Sequence, residues 1–264
     1  MRNVNGHLVA LQAHRGVSTD APENTFAAYE AAVKQGYDII ELDPKFTLDQ
    51  HCVLLHDKNL KRTGRTLDGK SYEEAPLIKE ITLAEAQKHE YGSWFAPQFK
   101  GEKIPLMEDV LRFAKQHNIP LKIDNIIQSF TDEQTEILFS LVEKTGTQHL
   151  AGFTSTKVEY LKKCADRFPA SVIHYDGPVD QQTLDAVCAV LHENPLYVWL
   201  RYPNALSTWC KTPPICDETV AMVRAKGAKI GVWILEDEDD MIDVCDRFKP
   251  DVIETTGSLK PDHK

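Results

Sequence analysis

Short runs of apolar, β-branched and aromatic residues recur along almost the whole chain: LVALQAH (8–14), YDIIELD (37–43), IPLKID (119–124), LAGFTS (150–155), ASVIHYD (170–176), LYVWLRY (196–202), KIGVWIL (229–235) and DVIETT (251–256). Between most of them lie stretches with helical periodicity. These are PENTFAAYEAAVKQG (22–36), PLMEDVLRFAKQHN (105–118), TDEQTEILFSLVEKTG (131–146), TKVEYLKKCADRF (156–168), DQQTLDAVCAVLHEN (180–194), CDETVAMVRAKG (216–227) and DEDDMIDVCDRF (237–248). Near-continuous apolar strands followed by amphipathic helices predict a parallel sheet covered by helices. Eight such repeats in 264 residues predict an α/β fold closed into a TIM (β/α)8 barrel. The alternative is an open doubly wound sheet. That fold carries a Gly-rich phosphate turn after its first strand, and neither G-x-G-x-x-G nor a Walker A pattern is present.

One segment breaks the rhythm. Residues 58–103 are polar and irregular, with RTGRTLDGKSYEEAP and YGSWFAPQFKGEK around one short helical stretch, TLAEAQKHE. This segment reads as an insertion after the second strand, a small cap beside the barrel mouth. The chain is expected to form one barrel domain over 1–264 that contains it.

Composition narrows the picture. Hydrophobic residues make up 42% and charged residues 27%, as in an ordinary globular protein. The net charge of −10 argues against a nucleic-acid partner, which calls for a basic face. It leaves room for an anionic substrate, because a bound cation and a local arginine reverse the sign inside a site. No run of about 18 apolar residues predicts a membrane span. The N-terminus MRNVNGHLVALQAH has no small-residue cleavage site, so no signal peptide is expected. The six cysteines, Cys52, Cys164, Cys188, Cys210, Cys216 and Cys245, form no C-x-x-C pair and read as scattered reduced thiols, which fits a cytoplasmic location.

The candidate chemistry sits at strand ends, where such a barrel carries its active site. His14 and Arg15 close the first strand. Glu41 and Asp43 close the second, two residues apart and therefore on one face. His56 follows the short run CVLLH, and Asp124 ends the third strand. Three carboxylates in one narrow mouth repel one another, so one holds a proton or a cation neutralises them. Oxygen ligands select one hard divalent cation, Mg²⁺, Ca²⁺ or Mn²⁺. Such an ion would stabilise charge on a phosphate, two histidines can divide acid and base work, and Arg15 can fork onto a phosphate oxygen. Each residue alone has a plainer structural reading. Pro22 and Glu23 suit the first turn of a helix, and Asn24 a loop hydrogen bond.

Taken in order, HRG (14–16), PENT (22–25), GYDIIELD (36–43), TLD (47–49) and LLHD (54–57) resemble the glycerophosphodiester phosphodiesterases. RTG (62–64), IPLMEDVL (104–111) and VWIL (232–235) extend the resemblance along the chain. It implies a TIM barrel with a small insertion after the second strand. It also implies hydrolysis of a small glycerophosphodiester to glycerol 3-phosphate and an alcohol, in glycerol and lipid metabolism. His14 and His56 become the general acid and base, Glu41 and Asp43 metal ligands, and Arg15 a phosphate contact. The family usually reads I-E-x-K on its third strand, and this chain reads IDN. Asp124 then stands as the shorter third ligand, and Asn125 stands at the phosphate where a lysine is expected. Trp233 lies in VWIL where the family tends to have V-W-T-V, and is expected to contact substrate. Glu236 then falls near the mouth, and is the first residue to examine as a substitute ligand should Asp124→Glu with Asn125→Lys bring no gain in metal binding or turnover. Two alternatives follow from these departures: a lysophospholipid or sugar phosphodiester as substrate, or a barrel that binds a phosphodiester and turns it over poorly. The loop YPNALSTWCKTPPIC offers Tyr202, Leu206 and Trp209 either as a surface for lipid chains or as a loop packing its own aromatics. The sequence leaves the leaving alcohol, the assignment of acid and base, and the oligomeric state open.

Overall fold

Eight parallel strands form the structure's centre: β1 (His7–Ala13), β2 (Ile39–Leu42), β3 (Leu121–Ile123), β4 (Ala151–Ser155), β5 (Ile173–Tyr175), β6 (Leu196–Arg201), β7 (Lys229–Trp233) and β8 (Val252–Thr255). This computed structural model describes residues 1–202 and 212–262. Each strand pairs with its sequence neighbour, and β8 returns to β1 with Val252 opposite Ala10 and Ile253 opposite Leu11. The ring is therefore closed, and the open-sheet alternative is excluded. A short strand, Arg2–Val4, adds antiparallel to the start of β1.

Among the described residues, seven helices cover the ring: α1 (Phe26–Gln35), α2 (Met107–His117), α3 (Asp132–Thr145), α4 (Val158–Arg167), α5 (Gln181–Ala189), α6 (Asp217–Ala225) and α7 (Glu238–Phe248). Local sequence explains their limits. The Thr25 hydroxyl caps α1 by accepting from the Ala28 N–H, and Gly36 ends it in the left-handed conformation. Thr131 and Gln134 form a capping box at the start of α3. On α2, Met107, Val110, Leu111 and Ala114 recur at helical spacing and are all buried. Among the described residues no helix is long and apolar enough to cross a membrane.

Strand periodicity sends alternate residues to different layers. Leu11, Ala13, Ile40, Leu42, Leu121 and Ile123 point outward into the main core beneath the helices. The interior set is unusually polar, with Gln12, Glu41, Lys122, Thr154, His174 and Glu254 all buried. Trp199, with no exposed surface, fills the barrel beside them. Gly231 makes room for it, since a Cβ there would lie 2.6 Å from the Trp199 ring.

Between β2 and α2 the chain forms a hairpin, Pro44–Phe46 with Cys52–Leu54, and then the irregular segment. That segment has its own core, built on Val53, Leu55, Leu60, Ile78, Ile81, Ala86, Tyr91 and Ile104. The helix expected over TLAEAQKHE shrinks to Leu83–Ala86. The Arg65 and Glu90 main chains exchange hydrogen bonds of 2.8 and 3.0 Å, which draw the following residues out of a helical path. Asp49 of the TLD motif accepts from the Leu83 N–H and ties the hairpin turn to this short helix.

Candidate active site

The first turn after β1 is built around three residues with positive φ: Arg15 (59°), Gly16 (79°) and Asn24 (54°). Gly16 is required on two counts. Its φ favours glycine, and a Cβ would lie 2.7 Å from the main chain of Ala28, where the start of α1 packs onto the turn. This close packing brings the PENT segment against the end of β2. Asn24 donates to Asp43 Oδ2 at 2.7 Å and accepts from the Asp43 N–H and the Tyr29 hydroxyl. Its role is to hold Asp43, which is more than the loop hydrogen bond the sequence suggested.

Glu41, Asp43 and Asp124 each turn a carboxylate oxygen to a common point, with those oxygens all within 4.8 Å of one another. Burial first, then the Asp43 and Glu254 charges, push the Glu41 carboxyl well above the usual range. Asp124 is raised by burial and by Asp43. Asp43 is also buried, yet Arg15 foremost, then His56 and Lys45, hold it below the ordinary value. Arg15 lies 3.2 Å from Asp43 through Nε without hydrogen-bond alignment, and its main-chain N–H donates to Glu41 at 3.0 Å. Three converging carboxylates, two buried and one half-buried, that cannot all ionise without more positive charge fit a hard divalent cation.

The two histidines flank this cluster in a cavity of about 380 Å³ lined also by Arg15, Asn125, Trp233 and Ile234. His14 Nε2 lies 3.9 Å from Glu41, and burial lowers its pKa. His56 comes from the end of the hairpin, and its Nδ1 pairs with Asp57 at 2.7 Å. A chain of ion pairs links the two sides. Arg62 of the RTG motif donates to both oxygens of Asp57 and both of Glu23, over 2.6–3.0 Å. Glu23 in turn accepts from Arg15 Nη1 at 3.0 Å. Despite partial burial, Arg62 draws Asp57 down to about 2. One guanidinium from the insertion thus aligns the partner of His56 and the partner of Arg15.

All eight residues singled out from the sequence, His14, Arg15, Glu41, Asp43, His56, Asp124, Asn125 and Trp233, line this one cavity. Glu236 does not join them. Its carboxylate accepts from the Thr256 N–H at 2.8 Å and from the Thr255 and Thr256 hydroxyls, so it braces the end of β8. The Tyr202 hydroxyl donates to Asp240 at 2.6 Å, and Leu206 and Trp209 lie outside the described residues. A larger cleft of about 440 Å³ beside the insertion contains no histidine.

Sequence reasoning missed the cavity floor. Lys122 lies two residues before Asp124 and so shares its face. Its ammonium sits 3.3 Å from Glu254 and 4.4 Å from the centre of the Trp199 ring. Glu254 and Glu41 raise its pKa against the effect of burial, so it stays charged. Gln12 donates to the same Glu254. The positive charge that Asn125 does not provide therefore enters from the strand below. Asn125 instead donates to Asp176 at 2.5 Å, whose pKa burial pushes up to about 6. The signal was available, since a lysine inside an otherwise apolar strand needs a partner.

Residues 14–253 match the Glycerophosphoryl diester phosphodiesterase family. The chain belongs to that family. The YhdW protein of Bacillus subtilis is 47% identical over 100 residues, 38% of each chain. The glycerophosphodiester phosphodiesterase of Caldanaerobacter subterraneus subsp. tengcongensis is 26% identical over 233 residues, 87% of this chain and 86% of that one. The chain thus spans 38% of the length of the first relative and 86% of the second. Among solved structures, an Oleispira antarctica phosphodiesterase in complex with sn-glycerol-3-phosphate superposes with a TM-score of 0.74 at 21% identity, covering 95% of this chain and 94% of that one. That likeness confirms the barrel fold. Membership of the glycerophosphoryl diester phosphodiesterase family makes the mouth of this barrel the place to look for phosphodiester chemistry.

Proposed function

We propose that this chain is a metal-dependent hydrolase of glycerophosphodiesters, releasing glycerol 3-phosphate and an alcohol. The observation that carries the reading is the convergence of Glu41, Asp43 and Asp124 with Arg15, His14 and His56 in one cavity. The three carboxylates would hold Mg²⁺, Ca²⁺ or Mn²⁺, which supplies Lewis-acid stabilisation of charge developing on the phosphate. Arg15, pre-aligned by Glu23, and Lys122 add positive charge from the side and the floor. Asn125 and Trp233 border the substrate. His14, kept neutral by burial, accepts the proton of the attacking hydroxyl. His56, oriented through Nδ1 by Asp57, gives a proton to the departing alcohol oxygen as its bond to phosphorus breaks. The attacking hydroxyl is that of water, or that of the glycerol, in which case a cyclic phosphate forms and water opens it. The 264 residues act as one barrel unit that includes the insertion.

The test is turnover of glycerophosphocholine and glycerophosphoethanolamine, followed by ³¹P NMR, with and without EDTA. Activity should vanish in chelator and return with a divalent ion. His14→Ala and His56→Ala should each lower kcat by about a hundredfold or more while leaving the fold intact. Full activity after exhaustive chelation removes the metal from the reading, and near-wild-type turnover in either variant removes that histidine.

A further inference from the structure

The catalytic cavity has a floor whose polar groups are only half used. Gln12 on β1, Lys122 on β3 and Glu254 on β8 meet there, and all three are buried. Glu254 lines the cavity, with a side chain only 5% exposed. Both of its partners share one oxygen, since the Gln12 amide and the Lys122 ammonium donate to Oε2. The second oxygen, Oε1, accepts no hydrogen bond from any described residue. It is not sealed inside the protein, in contrast to Gln12 Oε1, which is buried without a partner. A buried carboxylate with an open acceptor is costly until a donor completes it. The Trp199 ring packs against Lys122 and holds the pair in place. The two histidines give the direction of the substrate. The His56 side chain is 43% exposed and that of His14 17%. An alcohol that takes its proton from His56 departs by the open rim, and the glycerol that stays on the phosphate is the deeper half. Its terminal hydroxyl is the donor farthest from the phosphate.

We propose that Glu254 Oε1 accepts a hydrogen bond from the terminal hydroxyl of the substrate's glycerol, which makes Glu254 the residue that selects for a free glycerol end. The proposal rests on the hydrolase reading above. Gln12 and Lys122 hold Glu254 through Oε2 and leave Oε1 to the ligand. A substrate without that hydroxyl leaves the buried oxygen without its donor, so the site discriminates by penalty as well as by attraction.

The experiment compares kcat/KM for glycerophosphoethanolamine with that for the phosphodiester of ethanolamine and propane-1,2-diol, joined through the primary oxygen of the diol. The second substrate lacks only the terminal hydroxyl and keeps the one beside the phosphate-bearing carbon, so either route of attack stays open. Wild type should prefer the glycerol substrate by about tenfold to a hundredfold, the range for a hydrogen bond to a charged group. Removing Glu254 alone strands the Lys122 charge, so the main variant is Lys122→Met with Glu254→Leu, which replaces the pair by apolar groups. Its turnover should fall for both substrates, because Lys122 also supplies positive charge, but its preference should drop to about twofold or less. Glu254→Gln leaves a neutral partner for the hydroxyl and should cut the preference by about threefold to tenfold, since charge-assisted bonds are roughly twice as strong as neutral ones. A purely structural role lowers kcat/KM for both substrates alike, so an unmoved preference in these variants overturns the proposal. A wild type that turns over both substrates equally overturns it too and spares the hydrolase. Calorimetry of wild type in excess Mg²⁺, Ca²⁺ or Mn²⁺ gives a readout without turnover. Glycerol 3-phosphate should bind at least about tenfold more tightly than propane-1,2-diol 1-phosphate, and equal affinities overturn the contact. No turnover of either phosphodiester with any of these ions rejects the hydrolase reading, and the Glu254 proposal with it.

Discussion

Replacing Glu41 by glutamine removes one negative charge from the crowded carboxylate cluster while keeping an oxygen where the Arg15 N–H donates. The expected effect reverses sign with the metal. In metal-free protein the three carboxylate oxygens lie within 4.8 Å of one another. At an effective dielectric constant near 20, two unit charges at that separation repel by about 3.5 kcal/mol. Glu41 faces two such neighbours, Asp43 and Asp124, and gains back part of the cost from Lys122. A net relief of about 1–3 kcal/mol follows for the glutamine variant, or roughly 2–8 °C in Tm for a domain of this size. With a divalent ion present the same oxygen loses its charge, and the ion should bind at least about tenfold more weakly.

The assay is thermal unfolding of wild type and Glu41→Gln in EDTA and in excess Mg²⁺, Ca²⁺ or Mn²⁺, with calorimetric titration of each ion. Wild type should gain more Tm from the ion than the variant, and the variant should be the more stable of the two in EDTA. The pH dependence gives a second check. The Glu41 carboxyl is raised in the folded state, so between the ordinary glutamate range and its raised value the folded protein holds a proton that the unfolded chain has lost. Stability of metal-free wild type should therefore fall as pH rises above about 4.3, and this component should be missing in the variant. A glutamine variant that is less stable than wild type in EDTA, and that keeps the full metal-induced shift, would refute the reasoning.

Two further predictions concern groups around the site. Arg62→Ala leaves both Asp57 and Glu23 without their shared partner, and should lower kcat/KM by about tenfold to a hundredfold. Its Tm should change little, because the guanidinium is 41% exposed. Free guanidinium should restore activity to the alanine variant, and Arg62→Lys should fall short for want of the fork; unchanged kcat/KM in Arg62→Ala rejects the positioning role. His174 accepts from the Trp199 Nε1–H inside the barrel, and burial holds its pKa well below the ordinary value. As pH falls below about 6.5 the unfolded chain takes up a proton that the folded one refuses, so between pH 6.5 and 5 this histidine should cost up to about 2 kcal/mol. The stability difference between wild type and His174→Gln should shrink over that window, and parallel pH profiles reject the assignment.

The barrel was legible because its cause is a repeated local pattern. Each apolar run is one strand, and each amphipathic stretch with its cap or terminal glycine is one helix, so errors are confined to ends. The insertion was visible as a break in that rhythm but its interior was not. TLAEAQKHE has helical propensity throughout, and the main-chain pairing of Arg65 with Glu90 overrides it after one turn. Such pairing joins residues far apart in sequence and carries no local signature.

The site divides along the same line. His14, Arg15, Glu41, Asp43 and Asp124 were found because they stand at strand ends, where sequence position alone gives location. Glu236 shows the limit of that argument. A residue beyond a strand end can turn either into the mouth or back onto the rim, and three donors on Thr255 and Thr256 turn this one back. Lys122 was missed for the opposite reason. Attention to the IDN triplet looked past the strand end for a missing positive charge, while alternation already placed a lysine on the face of Asp124 one step deeper. Burying that lysine is tolerable because Glu254 and Gln12 are buried with it, and Gly231 admits the Trp199 ring against which it lies. The floor and the carboxylate cluster are therefore electrostatically one unit. The charge on Lys122 offsets part of the repulsion that Glu41 and Asp124 feel, and a proton held on Glu41 or a bound cation would offset the remainder.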